Sequence, residues 1–522
     1  MTRLSLSGKA AQVLPLAALA LLVALLTLNR LGASDVCGGD EATVGMIVQQ
    51  MVEHHHLLFP LENCKIPIYK PPLFHWTATA IDYTLGQRIV DSFNLRLPSA
   101  LYAIAGVILT MFFAASLLGI RGAILSGAIL AGSYQYISQG RIGRVDMTLT
   151  FFETLSLYAF LWWFMSDTDA PGKRPSKRRL HYLLAIAMGL AVLAKGPVGA
   201  VLPAAAIVVF LAIERRWRTL AHLFKPGPPL VGAAIASSWY LACLFGRQMG
   251  FLGLQFGSEN VGRFFGSLGS MPPWYYIRPL LLNSVPLSLL VPLAVISALR
   301  AGGTAHQDDQ RDARAAMCAR FLAIFWIVTL LFFELAAFKR RNYLVPLWPA
   351  AAVMLSWWIL HRIVPRIGAV AYHAVIATCL FLAVVNFFFI PAYELHSCGV
   401  PLSLAGTLEG PLASLEGRSY GTQSVSFRNA AAEVNRLTGN DPIFIYGFND
   451  ANEPFLFYLG RCAPPVSGKL STIPDGYVVA DANAWGRRKH PAAGLHAVAR
   501  IPYRHADLIL LHSEAAAASP SR

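Results

Sequence analysis

Acidic and basic residues stand at the ends of apolar stretches in this sequence, where a charge needs a reason. Asp40 and Glu41 follow Gly38-Gly39 a short way past the first apolar run. Downstream, Tyr69-Lys70-Pro71-Pro72 sets a lysine between an aromatic ring and two prolines. Arg141, Arg144 and Asp146 come next, then Lys195 before Gly196-Pro197, then Glu259, Asn260 and Arg263, and finally Lys339-Arg340-Arg341 ahead of Asn342-Tyr343. Two carboxylates in one site suit acid, base or electrostatic work at an anomeric carbon. Lysine and arginine grip phosphate oxygens through charge-assisted hydrogen bonds. Taken singly, each charge is equally well a helix-end residue whose head group snorkels to the interface. Taken together they suit an anionic, lipid-borne substrate, provided that the chain delivers them to one side of a membrane.

The composition is that of a membrane protein. Of 522 residues, 55% are hydrophobic and only 14% charged, with a mean hydropathy of +0.50, which is too apolar for a soluble chain of this length. The net charge of +15 would suggest nucleic acid in a soluble protein. Here many of the basic residues crowd into short loops between apolar runs, where they act as topology signals, so membrane lipids are the expected surroundings and nucleic acid is not a partner. About eleven stretches of roughly 20 apolar residues qualify as spans. They begin near Ala11, Leu97, Ala123, Met147, Tyr182, Val198, Pro229, Leu280, Phe321, Tyr343 and Gly368. The stretch from Tyr182 to Ile213 would be about 48 Å long as one helix, against a hydrocarbon core of about 30 Å. Lys195-Gly196-Pro197 in its middle predicts a turn between two arms.

Three loops rich in lysine and arginine fix the orientation. Lys173, Arg174, Lys177, Arg178 and Arg179 lie in one, Arg215, Arg216, Arg218 and Lys225 in the next, and Arg300, Arg311, Arg314 and Arg320 in the third. These loops and the N-terminus are expected to be cytoplasmic. The first loop (31–94), the segments bearing Asp146 and Lys195, residues 247–278, residues 338–342 and the C-terminus then face outward. Residues 1–391 read as the membrane domain. Residues 392–522 read as a small outward α/β domain, with buried strands at Pro442–Gly447, Gly476–Ala480 and Asp507–Leu511 and an amphipathic helix at Asn429–Leu437. If those parts meet an oxidising compartment, Cys37 with Cys64 and Cys398 with Cys462 are the candidate pairs.

The motifs, in their order, resemble the GT-C fold glycosyltransferases. They are Asp40-Glu41, Tyr69-Lys70-Pro71-Pro72-Leu73, Arg96-Leu97-Pro98-Ser99, Arg144-Val145-Asp146-Met147, Ala194-Lys195-Gly196-Pro197, Glu259-Asn260-Val261-Gly262-Arg263-Phe264 and Lys339-Arg340-Arg341-Asn342-Tyr343. The sequence is most similar to the bacterial aminoarabinose transferases and the related protein mannosyltransferases, over roughly residues 15 to 350. That resemblance implies a polytopic α-helical GT-C fold with a C-terminal periplasmic α/β domain, set in the bacterial inner membrane. It implies an inverting enzyme that moves a sugar from a polyprenyl (undecaprenyl) phosphate donor to a lipid or glycan acceptor such as lipid A.

Asp40 then matches the family's catalytic acid and Asp146 a second acidic position. Lys70 matches the lysine on the donor phosphate, Lys339 and Tyr343 the basic and aromatic pair near the lipid phosphate, and Lys195 the Lys-Gly-Pro turn. Glu41, Glu259, Asn260 and Arg263 are further substrate-site candidates. Thr43 and Val44 stand where relatives carry arginine and tyrosine, so Arg340 or Arg341 is expected to supply the missing phosphate contact. Tyr69 replaces an acid that serves some relatives as a metal ligand, so no metal site is inherited and no cofactor is required, although a divalent cation is compatible with the chemistry. A protein O-mannosyltransferase is the alternative within this class. From another class, a transporter of an anionic lipid or ion should carry its ionisable groups near the bilayer midplane, whereas here nearly all lie at the ends of spans.

Overall fold

The computed structural model describes residues 8–64, 66–166, 176–267, 269–301, 310–398, 427–448, 452–466, 475–487, 494–503 and 507–513. Lys173 and Arg174 of the first arginine-rich loop lie outside these. In chain order the helices are α1 (Gly8–Leu28), α2 (Gly39–His54), α3 (Leu73–Thr84), α4 (Ser92–Gly132), α5 (Tyr134–Gln139), α6 (Val145–Met165), α7 (Lys177–Lys195), α8 (Val198–Ile213), α9 (Trp217–Leu223) and α10 (Pro228–Phe245). They continue with α11 (Met249–Leu252), a wide-turn stretch Gly253–Gly262, α12 (Arg263–Phe265), α13 (Ile277–Leu282), α14 (Leu287–Arg300), α15 (Gln310–Leu335), α16 (Leu347–Trp358), α17 (Val364–Ile367) and α18 (Ala369–Ser397). After these come α19 (Phe427–Thr438), β3 (Ile443–Tyr446), α20 (Glu453–Leu459), β4 (Gly476–Asp481), α21 (Ala482–Gly486), β5 (Leu495–Ile501) and β6 (Leu508–Ser513); β1 (Leu61–Glu62) and β2 (Ile66–Pro67) form a small ladder in the first loop. The chain divides into two compact units. Unit 1 is Met1–Asn29, Tyr69–Phe74 and Arg96–Ile390, and unit 2 is Arg30–Ile68, His75–Leu95 and Pro391–Arg522.

Unit 1 is helical and multi-pass. Among the described residues, five helical runs are long and apolar enough to cross a membrane: α4, α10, α15, the run Leu347–Ile367, and Ala369–His396 within α18. Shorter apolar segments accompany them, Val13–Leu28, Val198–Ile213 and Leu287–Arg300. The turn expected within Tyr182–Ile213 is there: α7 stops at Lys195 and α8 starts at Val198, with Gly196 at φ +94°. The spans expected from Leu97 and Ala123 are joined in the 41-residue α4, which breaks at Gly119 (φ +73°). Both positions need backbone angles that only glycine adopts cheaply. The interior of unit 1 is aromatic, with the ring of Phe160 4.9 Å from that of Phe321 and 6.3 Å from that of Phe210.

Unit 2 carries the small sheet, in the order β3-β4-β6-β5, with β3 and β4 parallel and the other pairs antiparallel. The central strands are buried on both faces, with Val478, Val479, Ala480, Leu508, Leu510 and Leu511 all inaccessible. This is why they read as unbroken apolar runs and were legible. Strand β5 escaped the sequence because it is a largely exposed edge with a bulge between Ala497 and Ala499, so its side chains follow no burial pattern. Helix α19 buries Phe427, Ala430, Ala431 and Val434, the spacing of one helical face.

The cysteine pairing differs from the expected one. Cys37 bonds Cys398 and Cys64 bonds Cys462, each with Cα atoms 5.6 Å apart, so neither Cys37–Cys64 nor Cys398–Cys462 forms. The cause is packing: α2 lies on α20, with Thr43 Oγ1 donating to Glu453 Oε2 at 2.8 Å and the Phe457 ring resting where a side chain at Gly45 would sit. Each bridge therefore ties the first loop to the segment after the last span.

Asp82 of α3 is fully buried in unit 2. Its Oδ1 accepts from Asn94 Nδ2 at 2.9 Å, while among the described residues Oδ2 has no hydrogen-bond partner. Burial pushes its carboxyl from 3.8 up to about 6, against the opposing Asn94 hydrogen bond. A carboxyl whose pKa is raised by folding favours the folded state below pH 4, and that contribution is lost as pH rises through 6. Asp82→Asn is therefore expected to stabilise the purified protein at pH 7.5 by about 2 kcal/mol. The gain should shrink to nothing near pH 4 in thermal unfolding scans, and a pH-independent difference would contradict this.

Candidate functional site

Two helix ends meet in unit 1. Asp146 occupies the first turn of α6, where the unsatisfied amide groups favour an anion, and Lys195 ends α7, where the carbonyl end favours a cation. Because α6 and α7 pack together, the two side chains face each other. Lys195 Nζ donates to Asp146 Oδ1 at 2.5 Å, and Arg144 Nε lies 3.4 Å from Asp146 Oδ2. Asp146 is only 4% exposed, so this carboxylate is held between two cations out of bulk water. On the far side of Lys195 its ammonium lies 4.5 Å from the centre of the Tyr343 ring. The Tyr343 hydroxyl accepts from Arg263 Nη1 at 2.9 Å, and Arg263 Nη2 donates to Glu259 Oε1 at 2.8 Å. One continuous polar chain thus runs from Arg144 through Asp146, Lys195, Tyr343 and Arg263 to Glu259.

The chain borders a cavity of about 110 Å³. Its charged lining is Lys70, Arg144, Lys195, Arg263 and Arg340 against Asp146 and Glu259, a net charge of +3, and Gln255 and Asn260 add amide groups. Phe264, Phe332, Phe333 and Phe338 line it as well. Lys70 reaches it from the bend before α3, with its ammonium 4.9 Å from the Tyr69 ring. Phe338 is flanked by the guanidinium groups of Arg263 and Arg340, at 5.1 and 5.2 Å. A cationic wall beside a phenylalanine wall fits an amphiphile, with an anionic head and an apolar continuation.

Of the residues singled out from the sequence, Lys70, Asp146, Lys195, Glu259, Asn260, Arg263 and Tyr343 come together here. Lys339 is buried but turns to Glu334, at 3.5 Å, and Arg341 is exposed, its carbonyl accepting from Gln135 Nε2 at 2.6 Å; neither lines the cavity. Arg340 is the one of the three basic residues that does. Arg141 serves another purpose, with Nη1 donating to the carbonyls of Leu26, Thr27 and Asn29 at the end of α1. Asp40 and Glu41 lie in the first turn of α2, in unit 2. Sequence reasoning missed Gln255, Phe332 and Phe333, which carry no signal apart from their neighbours. Among the described residues no three histidine, cysteine, aspartate or glutamate side chains converge as a metal-ligand group.

Gly196 is held by two constraints, its φ of +94° and the Gln255 amide, which a Cβ would meet at 2.5 Å. Gly196→Ala is expected to lower stability by about 1–3 kcal/mol, read by thermal unfolding. A neutral result would mean that the Lys195 turn is not under this constraint.

Comparison with known proteins gives a consistent picture. The family model for dolichyl-phosphate-mannose-protein mannosyltransferase matches residues 50–245. An uncharacterized protein of Aquifex aeolicus is 28% identical over 64% of this chain and 62% of its own length. The undecaprenyl phosphate-alpha-4-amino-4-deoxy-L-arabinose arabinosyl transferase of Pseudomonas paraeruginosa is 27% identical over 56% of this chain and 50% of its own. The chain thus spans between half and two thirds of the length of these relatives. The crystal structure of ArnT from Cupriavidus metallidurans bound to undecaprenyl phosphate superposes with a TM-score of 0.70 at 20% identity, covering 99% of this chain and 100% of that one. The archaeal oligosaccharyltransferase AglB from Archaeoglobus fulgidus gives a TM-score of 0.55 at 14% identity, over 91% of this chain and 69% of that one. The fold is the GT-C fold, and the resemblance to the aminoarabinose transferase and protein mannosyltransferase type holds.

Proposed function

We propose that this chain is an inverting glycosyltransferase that takes a sugar from a polyprenyl phosphate of the undecaprenyl type and passes it to a lipid or glycan acceptor such as lipid A. The observation that carries this reading is the cavity of net charge +3 lined by four phenylalanines, which matches a phosphate joined to an apolar chain. The named substrate of the Pseudomonas relative and the lipid bound to ArnT support the same donor class.

In the proposed reaction the acceptor oxygen bonds to the anomeric carbon as the bond from that carbon to the phosphate oxygen breaks, and the electron pair leaves with the polyprenyl phosphate. Lys70, Arg144, Arg263 and Arg340 stabilise the added charge on the departing phosphate, with the Tyr343 ring beside them and Lys339 and Arg341 adding positive field. Asp146, ion-paired twice, is a weak base and serves to orient sugar or acceptor hydroxyls. Asp40 is assigned the catalytic role by its position in the motif order. It takes the proton of a hydroxyl acceptor, or acts electrostatically if the acceptor is already an anionic phosphate.

The membrane domain, residues 1–391, would lie in the bacterial inner membrane with its N-terminus in the cytoplasm, and residues 392–522 would be periplasmic. The two disulfides of unit 2 support that orientation, since such bonds persist in oxidising compartments.

Purified protein supplied with an undecaprenyl-phosphate sugar and lipid A should yield glycosylated lipid by mass spectrometry. Asp40→Asn should lower kcat by at least about 100-fold and Lys70→Ala should raise the donor KM about tenfold. Full turnover by Asp40→Asn would remove that residue from catalysis. Transfer to a serine- or threonine-bearing peptide in place of lipid would favour the O-mannosyltransferase reading, and lipid or ion flux without sugar transfer would favour a transporter.

A further inference from the structure

Glu153 lies two turns into α6, a 21-residue helix about 31 Å long. It is wholly inaccessible, and among the described residues neither carboxylate oxygen has a hydrogen-bond partner. A buried acid inside an apolar helix is expected to have both a partner and a purpose. Its position names the partner. Residues seven apart on a helix differ by only about 20° in direction, so Glu153 shares the face of Asp146, about 10.5 Å further along the axis. Side chains of a helix lean toward its N-terminus, which brings the Glu153 carboxyl back toward Asp146. Lys195, bonded to Asp146 at 2.5 Å, is the cation held at the Asp146 end of that face.

We infer that Glu153 is a second carboxylate seat for Lys195, receiving the ammonium when Asp146 turns away to bind substrate, and is thus a positioning residue of the cavity. An ammonium released from Asp146 without such a seat would keep its contact with the Tyr343 ring but lose its bonded carboxylate. The two acidic side chains along one face offer the lysine a change of partner. The role in catalysis rests on the glycosyltransferase reading, whereas the sharing of Lys195 does not.

The test is a double-substitution cycle on the full chain purified in detergent, using near-isosteric changes that preserve packing. Asp146→Asn alone should lower the unfolding temperature only slightly, because Lys195 moves to Glu153. Glu153→Gln alone should also change it little, because Lys195 is seated on Asp146. The double variant should lose far more than the sum of the two, since both seats are gone. Additive shifts would overturn the inference whatever the activity. In the transfer assay Glu153→Gln should lower kcat about tenfold at an unchanged donor KM, and an unchanged kcat would overturn the positioning role. A non-additive cycle in a protein that transfers no sugar would support the shared lysine and defeat the functional reading instead.

Discussion

The ion pair between Asp146 and Lys195 is the constraint on which the cavity depends. It joins the start of one helix to the end of the next, and both helix dipoles favour the charges they carry. With Asp146 almost wholly out of water and bonded to Lys195, the two helix ends are held in register. That register sets the position of the Gly196 turn, which brings α8 back beside α7 and lets the Gln255 amide close against the glycine. Tyr343 stacks on the same ammonium and carries the connection to Arg263 and Glu259. A single lysine thus organises elements more than a hundred residues apart.

The arrangement also explains why so many cations are tolerated together. Arginine and lysine on the cavity wall are not merely opposed by Asp146 and Glu259. Several lie against aromatic rings, Lys70 on Tyr69, Lys195 on Tyr343, and Arg263 and Arg340 on Phe338. Such contacts offset part of the desolvation of a cation without neutralising it. The wall therefore keeps a net positive charge that an anionic ligand would complete. The same phenylalanines give an apolar ligand segment somewhere to lie.

Unit 2 rests on a different device. Its first-loop helices and its C-terminal sheet come from segments separated by nearly the whole membrane domain, and they are held by packing of α2 on α20 together with two crossed disulfides. The expected local pairing of neighbouring cysteines would have closed two independent loops. The observed pairing makes the first loop and the C-terminal segment parts of one body.

The sequence alone determined the surroundings and most of the charges of the cavity. Apolar runs of span length announced the membrane, Lys-Gly-Pro announced the turn after α7, and the unbroken apolar strands Val478–Ala480 and Leu508–Leu511 announced the sheet, because each is a local pattern with one physical solution. It also gathered most of the polar residues of the cavity, since charges at the ends of spans are costly and therefore conspicuous. Tertiary structure alone decided which of Lys339, Arg340 and Arg341 reaches the cavity, that Arg141 caps a helix, which cysteines pair, and that Glu153 is buried with no hydrogen-bond partner among the described residues. Each of these turns on side-chain direction or on contacts between distant segments, and neither is encoded in the spacing of residues along the chain.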